Sequence, residues 1–216
     1  MRTSLNEVET MAKRACRGAG LPWGIAEETG KAARWLAIHG FDAVGTIGDV
    51  LQFHDHVDHS TLSPDTEGVN WIASGGLISP LMAGTALCDH AERLTGQNEI
   101  VMVNVAYPIV LLSFSAIAAK ELNRPIEVQW ENVSTVVLGD DLSIAGNYTD
   151  LTLADSGQIR CVLASPKQSA RKKLDTGCET TEVAWHRLNY YAQRTYAPAT
   201  EASRLAGAGA GSNDND

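Results

Sequence analysis

The sequence lacks the cysteine pairs that would indicate a disulfide framework or a zinc-binding module. None of its four cysteines belongs to a C-x-x-C pair, and their spacings match no common zinc-ligand pattern: Cys16, Cys88, Cys161 and Cys178. Isolated cysteines of this kind are typical of a reducing compartment. We therefore predict a cytoplasmic protein whose fold needs neither a disulfide nor a metal ion.

Three motifs that would identify a common catalytic function are also missing. The sequence holds no G-x-S-x-G nucleophile elbow, no phosphate-binding loop with its lysine and no G-x-G-x-x-G that follows a strand. The alternating glycines Gly207, Gly209 and Gly211 come after a predicted helix, so they do not indicate a dinucleotide site. No cofactor is expected from these patterns.

Positive charge is scarce in this chain. Lysine and arginine number 17 against 26 aspartates and glutamates, which gives a net charge of −9. Only residues 171–173 form a dense basic run. Because an acidic surface repels phosphate backbones, we expect no nucleic-acid partner.

One long uncharged run, residues 100–118, has the length of a membrane span. It contains Asn104, and Tyr107 and Pro108 lie near its middle. Because proline is favoured at the first position of a helix, we predict a strand, a turn and a buried helix here. No membrane association is expected.

The remaining patterns predict an α+β protein. An N-terminal helical unit of three helices precedes a strand-helix-strand unit, an antiparallel meander, a C-terminal helix and a Gly/Ala tail. The first helix opens with a capping box, Ser4 and Glu7, and ends at residues 18–20. The other predicted elements are helices at residues 24–39, 43–53, 80–94, 108–122 and 180–194, strands at residues 99–106, 125–130 and 133–138, and a hairpin of residues 151–154 and 159–164.

We predict one α+β domain over residues 1–206. Its helical part covers residues 1–53, and its mixed sheet part covers residues 77–196. Residues 54–76 are polar and are predicted to form a long loop, which in a compact domain is functional or partly disordered. Residues 207–216 form a Gly/Ala-rich acidic tail.

The predicted loop begins with a possible metal-binding string. His54, His56, Asp58 and His59 match the H-x-H-x-D-H spacing, which is similar to the zinc ligands of the metallo-β-lactamase superfamily. That superfamily places the string after a hydrophobic strand, whereas helices are predicted upstream here. A solvent-exposed polar loop is therefore the simpler interpretation, and we assign no metal ligand.

The second helix and the C-terminal segment suggest a different site. Glu28 and Trp35 lie two turns apart on one helix face, and a carboxylate buried beside an indole could act as an acid or a base. Arg194 and Arg204 flank a stretch rich in glycine and alanine, where guanidinium and backbone N–H groups could hold an anion. The alternatives are surface ion pairs on the second helix and a solvated terminal tail.

Two stretches resemble a bacterial family known only as a domain of unknown function. The first is GAGLPWGIAEE at residues 18–28 with ARWL at residues 33–36, and the second is RTYAPATEASRLAGAGAG at residues 194–211 with DND at residues 214–216. The resemblance runs over most of the chain and is most specific at these two ends. Such a family implies no activity and no catalytic residue.

These observations allow three functions. The leading hypothesis is a small-molecule protein, either an enzyme of organic-acid catabolism or its accessory subunit, that binds a small anionic ligand. Glu28 would then be the acid or base, and Arg194 and Arg204 would bind the substrate. The first alternative is a non-catalytic interaction protein whose tail orders on a protein partner or in a homo-oligomer. The second is a metal-dependent hydrolase that uses His54, His56, Asp58 and His59.

Overall fold

The computed structural model describes residues 1–96, 98–165 and 175–196. The helices are α1 (Leu5–Gly18), α2 (Trp23–Ile38), α3 (Ala43–His54), α4 (Pro80–Asp89), α5 (Leu111–Leu122) and α6 (Glu182–Gln193). The strands are β1 (Arg2–Ser4), β2 (Pro64–Asp65), β3 (Asn70–Ala73), β4 (Ile100–Ala106), β5 (Ile126–Trp130), β6 (Val133–Leu138), β7 (Asp141–Gly146), β8 (Asp155–Leu163) and β9 (Gly177–Glu179). The α+β class is confirmed.

The N-terminal helices form as their local signals predict. The Ser4 side chain accepts a hydrogen bond from the Glu7 backbone N–H, and the Glu7 carboxylate accepts one from the Ser4 backbone N–H at 2.7 Å. Small residues let α1 and α2 pack closely, because a Cβ atom placed on Gly30 would lie 2.9 Å from the Glu9 carbonyl oxygen. Helix α1 also packs against α6.

Seven strands form one sheet in the order β2-β3-β4-β8-β5-β6-β7. Strand β8 is antiparallel to both β4 and β5, so the β4-α5-β5 unit is a split βαβ motif with β8 between its two strands. Strands β5, β6 and β7 form an antiparallel meander, in which β7 lies at residues where no strand was predicted. Strands β1 and β9 pair separately and join the N-terminus to the segment before α6.

Helix α5 lies in the middle of the structure. It contacts β5 and β6 on the sheet side, and it also contacts α2 and α4. Neighbours on several sides explain why Leu112, Phe114 and Ala118 are all buried on a helix that is apolar nearly all round. The uncharged run of residues 100–118 is therefore β4 and the first part of α5. In the three described ranges, no helix is long and apolar enough to cross a bilayer.

Several predicted elements differ from the structure. Residues 54–76 are not one loop, since β3 adds a parallel strand beside β4. The predicted hairpin is wrong because residues 155–163 form the single strand β8, which pairs with β4 and β5 along its length. The helix predicted at residues 80–94 ends at Asp89 and is followed by a 3₁₀ segment.

Candidate functional site

A cavity of about 540 Å³ lies where the ends of α1 and α6 meet the start of α2. We call it the basic cavity, and its lining residues are Lys13, Arg14, Arg17, Gly18, Trp23, Arg194, Thr195 and Tyr196. Gly18 allows α1 and α6 to approach each other at this point. A Cβ atom at Gly18 would lie 1.8 Å from the Tyr191 carbonyl oxygen, so only glycine fits.

Two arginines of α1 stack on aromatic rings in the basic cavity. The guanidinium carbon of Arg17 lies 4.6 Å from the centre of the Trp23 ring, and that of Arg14 lies 4.6 Å from the centre of the Tyr196 ring. Arg17 also donates a hydrogen bond to the Leu21 carbonyl oxygen. Cation–π stacking at exposed sites stabilises by about 0.5–1 kcal/mol and fixes the plane of the guanidinium.

The two other cations of the basic cavity are paired with carboxylates. The Lys13 ammonium lies 2.8 Å from a Glu27 carboxylate oxygen, and this hydrogen bond lowers the pKa of Glu27. Arg194 donates two hydrogen bonds to Asp55, at 2.6 and 2.9 Å. That bond lowers the pKa of Asp55 and raises the pKa of Arg194.

Arg14 and Arg17 differ from these paired cations. Among the residues that the structure describes, no carboxylate forms an ion pair with either guanidinium. The basic cavity thus combines two neutralised and two unneutralised cations in a chain of net charge −9. A local excess of positive charge beside aromatic rings is suited to binding an anion.

The predicted site residues do not all lie in this cavity. Arg194 lines it, and so does Trp23 at the start of α2. Glu28 lies further along α2, where its carboxylate is 2.7 Å from the Lys31 ammonium. The Trp35 ring packs on His39, and its indole N–H donates to the Gly139 carbonyl oxygen. The acid–base role of Glu28 stays a prediction. Arg204 lies outside the described residues.

The histidine string does not gather into a ligand set. His54 is fully buried, and its Nε2 atom lies 2.7 Å from the Ser79 hydroxyl. His56 is largely exposed, and Asp58 accepts hydrogen bonds from the Ser60 backbone and hydroxyl groups. In the described part of the chain, no three His, Cys, Asp or Glu side chains lie close enough together to hold a metal ion.

Sequence reasoning missed Arg14 and Arg17 as site residues. Both are in the last turns of α1, where basic residues are expected to favour the helix dipole, so their charge had an ordinary local explanation. A usable signal was the spacing of three residues between two like charges, which places them side by side on one helix face.

Comparisons with known proteins add little to this geometry. No curated protein matches the chain. A malate dehydrogenase structure from Pyrococcus horikoshii OT3 is similar over 68% of this chain, with a TM-score of 0.47 and 11% sequence identity. The chain spans half the length of that protein.

A family match covers the N-terminal part of the chain. It includes α1 and α2, which form most of the basic cavity, whereas α6 and the stretch from Arg194 onward lie beyond it. The predicted resemblance to a family of unknown function is confirmed at this end: residues 3–77 match the family described as "Protein of unknown function (DUF3726)".

Proposed function

We propose that the protein binds a small organic anion in the basic cavity, as an enzyme of organic-acid metabolism or as the accessory subunit of one. The observation that carries this proposal is the pair of unneutralised guanidiniums, Arg14 and Arg17, beside the aromatic rings of Tyr196 and Trp23. The volume of about 540 Å³ lies in the range of ligand pockets. The free cysteines support a cytoplasmic location.

The arrangement of the two arginines favours a bound anion over water molecules in the basic cavity. Arg14 and Arg17 are three residues apart on α1, and like charges on neighbouring turns repel each other. Stacking uses the flat face of each guanidinium and leaves N–H donors at its edge for a planar carboxylate or a phosphate. A bound anion would reduce this repulsion and would also accept hydrogen bonds from these N–H donors.

A catalytic role for Glu28 is a separate proposal. The Glu28 carboxylate is half-buried and paired with Lys31. The preceding residue, Glu27, forms an ion pair with Lys13, which lines the basic cavity. If Glu28 serves the same ligand, Glu28→Gln should change the rate of a reaction with little change in anion affinity. Unchanged turnover in that variant would remove Glu28 from the mechanism.

We test anion binding with two single variants, Arg14→Gln and Arg17→Gln, and with succinate as the probe. Calorimetric titration at an ionic strength of about 0.1 M should give a dissociation constant at least about tenfold higher in each variant. A charge-assisted hydrogen bond contributes about 1.5–3 kcal/mol, and about 1.4 kcal/mol corresponds to a tenfold change. The melting temperature without succinate should stay within about 2 °C of the wild type, because surface substitutions usually change stability little.

The matched control is Arg34→Gln. Arg34 lies on α2, and its guanidinium contacts Asn6 and Glu9 near the other end of α1, so this variant makes the same charge change away from the basic cavity. Succinate affinity should stay within about twofold of the wild type, since charges beyond a Debye length of about 10 Å are largely screened. An equal loss of succinate affinity in all three variants would show a general effect of net charge and would contradict the proposed site.

The second candidate is an interaction protein, and the exposed aromatic side chains favour it. Trp23, Tyr190 and Tyr196 are each more than half exposed, and arginines stack on them. Tryptophan, tyrosine and arginine are the residues that dominate binding energy at protein interfaces. This function predicts concentration-dependent self-association in sedimentation velocity that Trp23→Ala weakens, together with no succinate binding.

A further inference from the structure

We infer that the ligand of the basic cavity carries two negative charges. This inference rests on the proposed function and specifies its ligand class, which is a dicarboxylate or a phosphate monoester. Both present two formal charges to the protein, and the experiment below separates them.

The wall of the basic cavity carries a net positive charge. Four cations line the cavity, and Glu27 and Asp55 neutralise Lys13 and Arg194, which leaves a charge of +2. A monoanion would leave one guanidinium without a partner in a partly enclosed space. Two negative charges would balance the wall, and complementary charge gives specificity at binding sites.

The two arginines are supported by aromatic rings from different segments. Arg17 stacks on Trp23, which belongs to α2, whereas Arg14 stacks on Tyr196, which follows α6. The two guanidiniums are therefore held against two different rings and not against one shared ring. Each guanidinium offers one position for an anionic oxygen. A dicarboxylate can place one carboxylate at each position, and a phosphate monoester can place two of its oxygens there.

The paired cations set the limits of the site. The bidentate bond from Arg194 to Asp55 and the Lys13–Glu27 pair occupy these side chains within the protein. They fix the cavity wall around the two unneutralised arginines. A trianion would therefore need one of these pairs to break, and we expect no gain in affinity from a third charge.

The experiment compares two matched pairs of probes by calorimetric titration at pH 8 in a low-salt buffer. Succinate is a dianion, and succinamate has nearly the same shape with one charge less. Methyl phosphate is a dianion at this pH, and dimethyl phosphate is the monoanion. We expect the preferred dianion to bind at least about tenfold more tightly than its monoanionic partner.

The probe pair that shows the preference for the dianion identifies the chemical class of the ligand. A tenfold preference for succinate over succinamate assigns a dicarboxylate, and the same preference within the phosphate pair assigns a phosphate monoester. In Arg14→Gln and Arg17→Gln, the preference should fall to about threefold or less, because one balancing charge is gone. Tricarballylate should bind no more tightly than succinate.

The outcomes separate this inference from the proposed function. Equal affinities of monoanion and dianion in both pairs, with weaker binding in the arginine variants, would overturn the two-charge inference and leave an anion site. A preference that persists in both arginine variants would also overturn it. No binding of any of the four probes would overturn the proposed function itself.

Discussion

Replacing Gly18 by alanine should destabilise the protein by about 3 kcal/mol, at the upper end of the usual cost of overpacking. The added methyl group would lie 1.8 Å from the Tyr191 carbonyl oxygen and 2.7 Å from its carbonyl carbon. These are backbone atoms, so no side-chain rotation relieves the clash. Helix α6 would have to move away from α1. Equilibrium denaturation by urea measures the resulting decrease in the free energy of unfolding.

The same substitution should weaken anion binding. Gly18, Thr195 and Tyr196 all line the basic cavity, so a shift of α6 changes the position of the Tyr196 ring against Arg14. We expect succinate affinity to fall by about tenfold, or about 1.4 kcal/mol.

Gly24→Ala is the control, because a Cβ at Gly24, in the first turn of α2, would have no heavy atom within 4 Å apart from its chain neighbours and the backbone of its own helix. Alanine is favoured over glycine in helices by up to about 1 kcal/mol, so this control should be neutral or stabilising. Wild-type stability of Gly18→Ala would contradict the close packing of α1 on α6.

Lowering the pH from 6.5 to 4 should cost about 3 kcal/mol of folding free energy through His54 alone. Burial, together with a smaller effect of the neighbouring His59 charge, lowers the pKa of this imidazole from 6.5 to about 4. Between these two values the unfolded chain binds a proton that the folded chain does not. The stability contribution is therefore complete above pH 6.5 and is lost as the pH falls towards 4.

The contacts of His54 explain why its charged form is disfavoured. The Ser79 hydroxyl oxygen accepts hydrogen bonds from the backbone N–H groups of Leu81 and Met82 at the start of α4. The hydroxyl group also forms a hydrogen bond of 2.7 Å with His54 Nε2. Within the described ranges Nδ1 has no hydrogen-bond partner. The charged imidazolium would therefore bury an N–H donor on Nδ1 without an acceptor.

Urea denaturation at several pH values tests this effect in His54→Gln and in His56→Gln as the control. The His56 side chain is 88% exposed on the same segment, so its removal should change the pH dependence of stability less than the removal of His54 does. The His54→Gln profile should be flatter than the wild-type profile between pH 6.5 and 4. Parallel profiles for the wild type and His54→Gln would show that His54 titrates normally in the folded state.

Local patterns predicted the elements whose neighbours are close in sequence. The capping box at Ser4 and Glu7 started α1, and the proline at position 108 separated β4 from α5 as predicted. In these cases hydrogen bonds within the element, or burial on nearly every side, decide the structure. Such signals lie in residues that are close in sequence, so they can be recognised without knowledge of the rest of the fold.

Pairing partners far along the chain decided the elements that were mispredicted. Residues 70–73 became a strand because β4 pairs with them, and Gly157 stayed within β8 because β4 and β5 lie on either side of it. Strands β1 and β9 were missed for the same reason, since each is only three residues long and depends on the other. No window of the sequence contains both partners.

The sequence by itself determined an α+β chain with an N-terminal helical unit, whereas its assignment of Arg194 and Arg204 to an anion site stays a prediction. Only the tertiary structure decided that Arg14 and Arg17 meet Tyr196 and Trp23 in one cavity. The physical reason is that helical periodicity tells which side chains share a face of one helix. It does not tell which other helix covers that face, because packing between distant segments sets that choice.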